Sequence, residues 1–506
     1  MLFLRAISSA PALLLALTLT YTPAFAAVSS APTAQEERDA RAYNNSGSEK
    51  YAKNDLDGAI ADYDQAIKLN PGLVKAYYNR GLAKYDKGDL DAAIADYDKA
   101  IALSPLYEDA FINRALARDD KNDLAGAIAD DTEALRLAPD DSYAYNNRGW
   151  SHYRQGDCDA AIKDFNEAIR LNPGLSQPYN DRGVAEREKG QVTESIADYT
   201  KAIELDPQDD QAYYNRAIAR DDQGDTDGAI ADDCAAIKIN PQYADAYVNR
   251  GGVKAEKEDW DGAIADYGQA LQLDPKNSGA YNERGLAHYH QGEADSALAD
   301  YNQALELNPR DTCALNNRGN VQHALGHLDA ALADYNHALE IDPKSSSAHN
   351  DRGIIRQAKG ELAGAEADYN EALQLDPKNA EAYGNLSSLA DARNDWDAAI
   401  LNANRAIILA PSFAQAYNNR AVAEYHKHDY DKAMADEDQA LQIDPNDEIA
   451  YNNRGLTEQA RGDLEGALVD YDQAIEINPK FPEAQHNRAW AKWYQGDVVG
   501  AIADLF

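Results

Sequence analysis

The side chains best suited to chemistry in this chain fall into rows. Arginine recurs at 34-residue intervals at Arg80, Arg114, Arg148, Arg182, Arg216, Arg250, Arg284, Arg318 and Arg352, and again at Arg420, Arg454 and Arg488. Aspartate follows each of them sixteen residues later, as at Asp96, Asp130 and Asp164. A guanidinium facing a carboxylate can make a paired, charge-assisted hydrogen bond. Asparagine keeps the same interval on the preceding residue, at Asn45, Asn79, Asn113, Asn147, Asn215, Asn249, Asn317, Asn385, Asn419, Asn453 and Asn487. A carboxamide both donates and accepts, so a row of them can pair with an extended peptide backbone whatever its side chains. The same groups can equally bond to neighbouring segments of the chain itself.

Other reactive residues are scattered. Six of the ten histidines lie between His288 and His349, but His288, His290, His323 and His327 complete no recurring ligand set with carboxylates or thiols, and no metal is expected. The three cysteines, Cys158, Cys234 and Cys313, are spaced against close pairing and include no C-x-x-C, so three unpaired thiols are expected. Asp55-Leu-Asp57-Gly58 and Asp225-Thr-Asp227-Gly228 imitate the start of a calcium loop without its later ligands, and read as turns. There is no G-x-S-x-G, no H-E-x-x-H and no glycine-rich phosphate loop. The chain reads as a non-enzyme without a cofactor.

The interval points to the elements that must position these rows. Thirteen prolines, from Pro71 to Pro479, stand 34 residues apart, and a strict period of this length signals stacked copies of one unit. Numbering places from Ala40, thirteen full copies and a final one of 25 residues (482–506) fill residues 40–506. Each copy carries Ala, Leu, Ile and aromatic residues at spacings of three and four on both halves, for instance Ala93, Ile94, Tyr97, Ala100 and Ile101, which predicts a helical hairpin. Place 15 is Gly in nine copies and Asn in three, residues that tolerate the left-handed backbone between two helices. Acidic residues such as Asp89 and Asp91 are then set to cap the second helix or to lie in its first turn.

The second copy places Tyr77, Gly81, Ala93, Tyr97 and Pro105 where a tetratricopeptide repeat (TPR) carries its signature, and the chain resembles that family from Ala40 to Phe506. The resemblance implies an all-α fold, an α-solenoid formed as a right-handed superhelix of antiparallel helix pairs, with first helices lining a concave groove that binds protein segments. The asparagine row resembles the ladders of long TPR superhelices, and place 5, also Asn in eight copies including Asn146, Asn180, Asn282, Asn316, Asn418 and Asn452, is expected on the same inward face. The two-carboxylate clamp of chaperone-binding members is not supported, because Tyr78, Ile112, Asn146 and Tyr214 stand where its lysine is required.

The Arg–Asp row departs from the family pattern, which has Leu at place 7. It reads as a structural register device. Copy eleven loses both partners together, having Leu386 and Asn402, as expected if an orphaned buried charge is costly. Copy one has Ser46 opposite Asp62, an aspartate expected to be wet enough to stand alone.

Residues 1–26, with one charge at Arg5, an apolar run from Leu13 to Leu19 and Ala24-Phe25-Ala26, are expected to be a signal peptide cleaved after Ala26, and 27–39 a flexible leader. These features predict a periplasmic or secreted bacterial protein. The net charge of −39 argues against nucleic acid and anionic lipid, and favours cationic partners. The expected function is a protein-interaction scaffold of one elongated domain. A structural spacer or self-assembling envelope protein is the alternative, with Trp490, Trp493 and Tyr494 at an apolar end suited to self-association.

Overall fold

The computed structural model describes residues 31–505, so the expected signal peptide and the start of the leader lie outside the described residues. Among the described residues there are 28 helices and no strand. They form fourteen hairpins in the register predicted above, in two compact units, one ending at Pro207 and the other starting at Gln208. Within each unit every helix packs on its predecessor and its successor. Consecutive first helices also touch one another, whereas consecutive second helices do not.

The second repeat shows why each copy folds as it does. Its helices, Val74–Asp86 and Leu90–Leu103, are joined by Gly88 at φ 79°. All fourteen copies take the left-handed conformation at place 15, including the less suited Glu258 and His428 at φ 60° and 62°. Asp89 then caps the second helix, accepting from the Ala92 amide at 3.2 Å. Asp55 and Asp225 do the same for Gly58 and Gly228, each at 3.0 Å, so the calcium-like sequences are helix caps. Proline falls in the turn after the second helix, where its missing N–H interrupts nothing.

The core of each hairpin rests on a size match that sequence reasoning missed. In nine copies place 24 is Tyr or Phe and place 8 is Gly, and a Cβ on that glycine would lie only 2.6–2.9 Å from the ring, as at Gly81 against Tyr97 or Gly353 against Tyr369. In the other five copies the ring is absent: Asp131, Asp233, Ala403, Glu437 and Leu505 replace it, and place 8 becomes Ala115, Ala217, Ser387, Ala421 and Ala489. The backbone of the first helix approaches the second closely enough for an aromatic ring only where no methyl intervenes. The signal was present as covariation within one sequence.

Candidate protein-binding face and the rows that position it

All twelve Arg–Asp pairs form, each bidentate. Nε donates to Oδ2 at 2.6–3.0 Å and Nη2 to Oδ1 at 2.5–2.8 Å, from Arg80–Asp96 to Arg488–Asp504. Eleven of these aspartates are at most 8 % exposed. Nine of the arginines also lie over the aromatic ring at place 4, with centroid distances of 5.4–5.7 Å. The third nitrogen reaches further than the pairing argument foresaw. Nη1 of Arg80 donates to Asp64 at 2.5 Å, Arg318 to Asn302 at 2.7 Å and Arg250 to the Cys234 thiol at 3.1 Å, so one guanidinium ties its own hairpin to the preceding repeat. Place 25 is the residue that sequence reasoning left unassigned.

The asparagine row is also engaged between repeats. Nδ2 of Asn79, Asn317, Asn385 and Asn487 donates to Oδ1 of the preceding repeat's place-5 residue, Asn44, Asn282, Asn350 and Asn452, at 2.9–3.0 Å. Asn419 reaches the Gly384 carbonyl at 2.9 Å, and Asn113 the Tyr78 hydroxyl at 3.0 Å. Asn249 instead donates to Asp233 at 2.9 Å. Asn147, Asn215 and Asn453 are half-buried, and Asn45 is exposed. Of the two uses open to these carboxamides, bonding between neighbouring helices is the one the geometry displays. The expectation for place 5 is corrected: Asn44, Asn282, Asn350, Asn418 and Asn452 are buried, because consecutive first helices close over them, Asn180 is also buried, and Asn146 and Asn316 are half-buried.

Models described as TPR repeat match residues 47–88, 183–220 and 253–292, and models described as tetratricopeptide repeat match 74–106, 142–175, 278–311, 312–345, 346–379, 385–448 and 449–481, together well over half of the sequence. The chain belongs to the tetratricopeptide repeat family. No curated protein matches it significantly. Among solved structures, the APC/C hetero-tetramer Cut9-Hcn1 is similar over 89 % of this chain and 96 % of that one, at 13 % identity and a TM-score of 0.51. At that identity the likeness is one of fold. A tetratricopeptide repeat protein from Parabacteroides merdae is 22 % identical over 49 % of this chain and 98 % of its own, with a TM-score of 0.43, and yeast Tom70 is 17 % identical over 93 % and 96 %, with a TM-score of 0.38.

As a TPR array the protein is a scaffold for protein–protein interaction, and its exceptional repeats show how the rows are maintained. In repeat eleven Leu386 joins the apolar cluster around Tyr369 and Leu389, and Arg405 from the second helix takes the vacated seat over Tyr383, 5.5 Å from the ring centroid. In repeat one the expectation of a solitary wet Asp62 is corrected. Its side chain is only 13 % exposed and is held by Ser46 and Lys50, each at 2.7 Å. Burial pushes that carboxyl up, but the bonds from Lys50 and Ser46 outweigh it and hold the pKa below its ordinary value.

Acidic substitutions inside this TPR core change its electrostatics. Asp131 and Asp233 replace the core aromatic and are completely buried. Burial raises the Asp131 carboxyl well above the carboxylate range, helped by Asp130, and neither of its oxygens has a partner. Burial lifts Asp233 to about 7, against the opposing bond from Asn249. The histidines do not converge: His288 bonds Glu293 at 2.8 Å, His290 lies flat on Trp260 with ring centroids 4.4 Å apart, and among the described residues no three His, Cys, Asp or Glu side chains gather as a metal set. Cys158, Cys234 and Cys313 are free thiols, and no described helix is long and apolar enough to cross a membrane.

Proposed function

We propose that the protein binds extended, cationic protein segments along the face formed by its first helices. The observation that supports this reading is the bonding of the asparagine row. Each bridging carboxamide uses one N–H between repeats and keeps its own oxygen as an acceptor, at a fixed orientation and a constant sequence interval. A row oriented in advance loses little freedom when a peptide backbone pairs with it. The excess of 87 acidic over 48 basic residues favours Lys- and Arg-rich segments and speeds their arrival. The protein carries out no chemistry in this role, and an exported location, after cleavage at Ala26, is part of the same proposal.

Fluorescence anisotropy with extended peptides, one Lys/Arg-rich and one neutral, tests this. The triple variant N317A/N385A/N419A is expected to weaken the cationic peptide about tenfold, a loss of roughly 1.4 kcal/mol. The pair N282A/N350A, which deletes the buried acceptors of the same inter-repeat bonds together with their local bonds to Glu283 and Asp351, is expected to weaken it less. Equal losses in both variants would assign the row to stacking alone, and wild-type protein that bound neither peptide would refute the proposal. N-terminal sequencing of protein recovered from a bacterial periplasm is expected to begin at Ala27.

Self-association is a second reading, favoured by one surface. Trp490, Trp493 and Tyr494 are 47 %, 53 % and 65 % exposed, and the two tryptophans with Ala489 and Ala501 line an apolar recess of about 330 Å³. A sedimentation mass that stays monomeric up to tens of micromolar would remove it.

A further inference from the structure

Place 11 holds a cation in seven repeats. Lys50, Lys84, Arg118, Arg220, Lys254, Arg356 and Lys492 each stand 2.6–2.8 Å from the aspartate at place 23 of their own hairpin. In repeats twelve and thirteen the same seat is taken by Glu424 and Glu458, facing Asp436 and Asp470. Both aspartates are already bidentate partners of Arg420 and Arg454, so the glutamates add a second carboxyl to a satisfied pair. Between them Glu437 stands where the core aromatic belongs, 1 % exposed, with one oxygen accepting from the Thr457 hydroxyl at 2.9 Å. Oε2 of all three glutamates is buried without a hydrogen-bond partner. Three partly unsatisfied carboxyls thus share two consecutive hairpins. The fifth repeat has a single counterpart, Glu186, beside an intact Tyr199 core.

We propose that repeats twelve and thirteen form a proton-operated section of the array, closed while Glu424, Glu437 and Glu458 carry protons and loosened when they ionise, with repeats seven to nine unaffected.

The surroundings give the direction. Glu424 faces Asp436, Arg420, Lys432 and Asp429; Glu458 faces Asp470, Arg454 and Asp463; Glu437 faces Thr457, Arg454, Asp438 and Asp470, with Tyr425 nearby. Arg420 and Arg454 are committed to the aspartates, and Lys432 is bonded to Asp429. Burial first, and then Asp436 and Asp470, push Glu424 and Glu458 up to about 7, while burial carries Glu437 to about 8 against the opposing Thr457 bond. The folded state therefore holds protons that the unfolded chain, at about 4.5, has released. Stability from these groups is complete below about pH 4.5 and is lost as the pH rises through 7 to 8. A neutral carboxyl can donate to the neighbouring carboxylate, whereas an ionised one repels it.

Hydrogen exchange of the full chain at pH 5.5, 6.5, 7.5 and 8.5, with each amide corrected for its intrinsic rate, reads the two regions separately. Protection in residues 414–477 is expected to fall about tenfold or more across this range, and that in 244–341 to change less than about threefold. The variant E424Q/E437Q/E458Q is expected to abolish the difference. Parallel changes in the two regions, or an undiminished slope in the variant, would overturn the proposal. Circular dichroism at pH 5.5 checks the variant's fold. If the change at buried Glu437 unfolds it, E424Q/E458Q is read instead, with a reduced slope expected and an unchanged slope counting against the proposal.

Discussion

Residues 244–379 and 380–481 lie in the same unit and share one register. In the first stretch, repeats seven to ten, every hairpin has its Arg–Asp pair and its glycine-against-tyrosine contact, from Arg250–Asp266 with Gly251–Tyr267 to Arg352–Asp368 with Gly353–Tyr369. In the second, repeat eleven replaces both devices with Leu386, Asn402, Ser387 and Ala403; repeat twelve keeps Arg420–Asp436 but sets Glu437 opposite Ala421; and repeat thirteen keeps both while placing Glu458 where a cation belongs. The helices continue through all of them, so neither device is required to make a hairpin. What they set is how tightly each hairpin locks, and a solenoid whose repeats contact only neighbours can differ in that respect along its length.

The largest expected effect comes from imposing half of repeat eleven on repeat seven. R250A leaves Asp266, 4 % exposed, with Lys254 as its remaining ion-pair partner, and is expected to cost about 3 kcal/mol locally. R250L/D266N, which copies both changes, is expected to cost about 1 kcal/mol, because no buried carboxylate is orphaned and Lys254, 21 % exposed, keeps the Gly262 carbonyl and water as partners. Exchange protection of the hairpin Ala244–Leu273 measures both. A double variant weaker than the single one would break the register interpretation. Next comes the size match. G353A drives a methyl to 2.6 Å from the Tyr369 ring and should cost about 2 kcal/mol, whereas A421G, where no ring stands opposite, should cost only the ordinary helix penalty of about 1 kcal/mol. Equal losses would show that the contact is looser than the geometry indicates.

A smaller change transplants the acidic character of repeats twelve and thirteen. K254E replaces a cation 2.7 Å from Asp266 with a carboxyl, and its folded pKa is expected to rise as those of Glu424 and Glu458 do. Repeat seven should then be nearly as stable as wild type at pH 5 and about 1–2 kcal/mol weaker at pH 8, since a raised pKa gives stability that disappears as the proton leaves. Exchange measured at both pH values decides it. A loss independent of pH would mean that the missing cation, and not the titrating carboxyl, matters.

The hairpins, their turns and the Arg–Asp pairs were legible from sequence because each depends on residues within 34 positions that recur in the same places. Glycine at place 8 was equally visible, but its meaning required the second helix to be seen a few ångströms away. The asparagine seam was harder. Asn317 and Asn282 lie 35 residues apart, and a period alone does not tell whether a helix face meets solvent or the next helix. Repeat one shows the same limit, since Ser46 and Lys50 together do what one arginine does elsewhere, and only their convergence on Asp62 reveals it.

The smallest expected effect compares one strained residue from each stretch. Glu258 and His428 hold φ near +60° at place 15, where nine other copies use glycine. A side chain there costs roughly 1–2 kcal/mol relative to glycine in the folded state, partly recovered because glycine leaves the unfolded chain freer. E258G is therefore expected to stabilise its hairpin by about 0.5 kcal/mol. H428G starts from the same backbone gain but surrenders the bond between His428 Nδ1 and the Tyr430 hydroxyl at 2.9 Å, a contact on an exposed turn, so its net gain should be close to zero. Equal stabilisation of the two hairpins would mean that the His428–Tyr430 bond contributes nothing, and that the turns of the two stretches are energetically alike even where their cores are not.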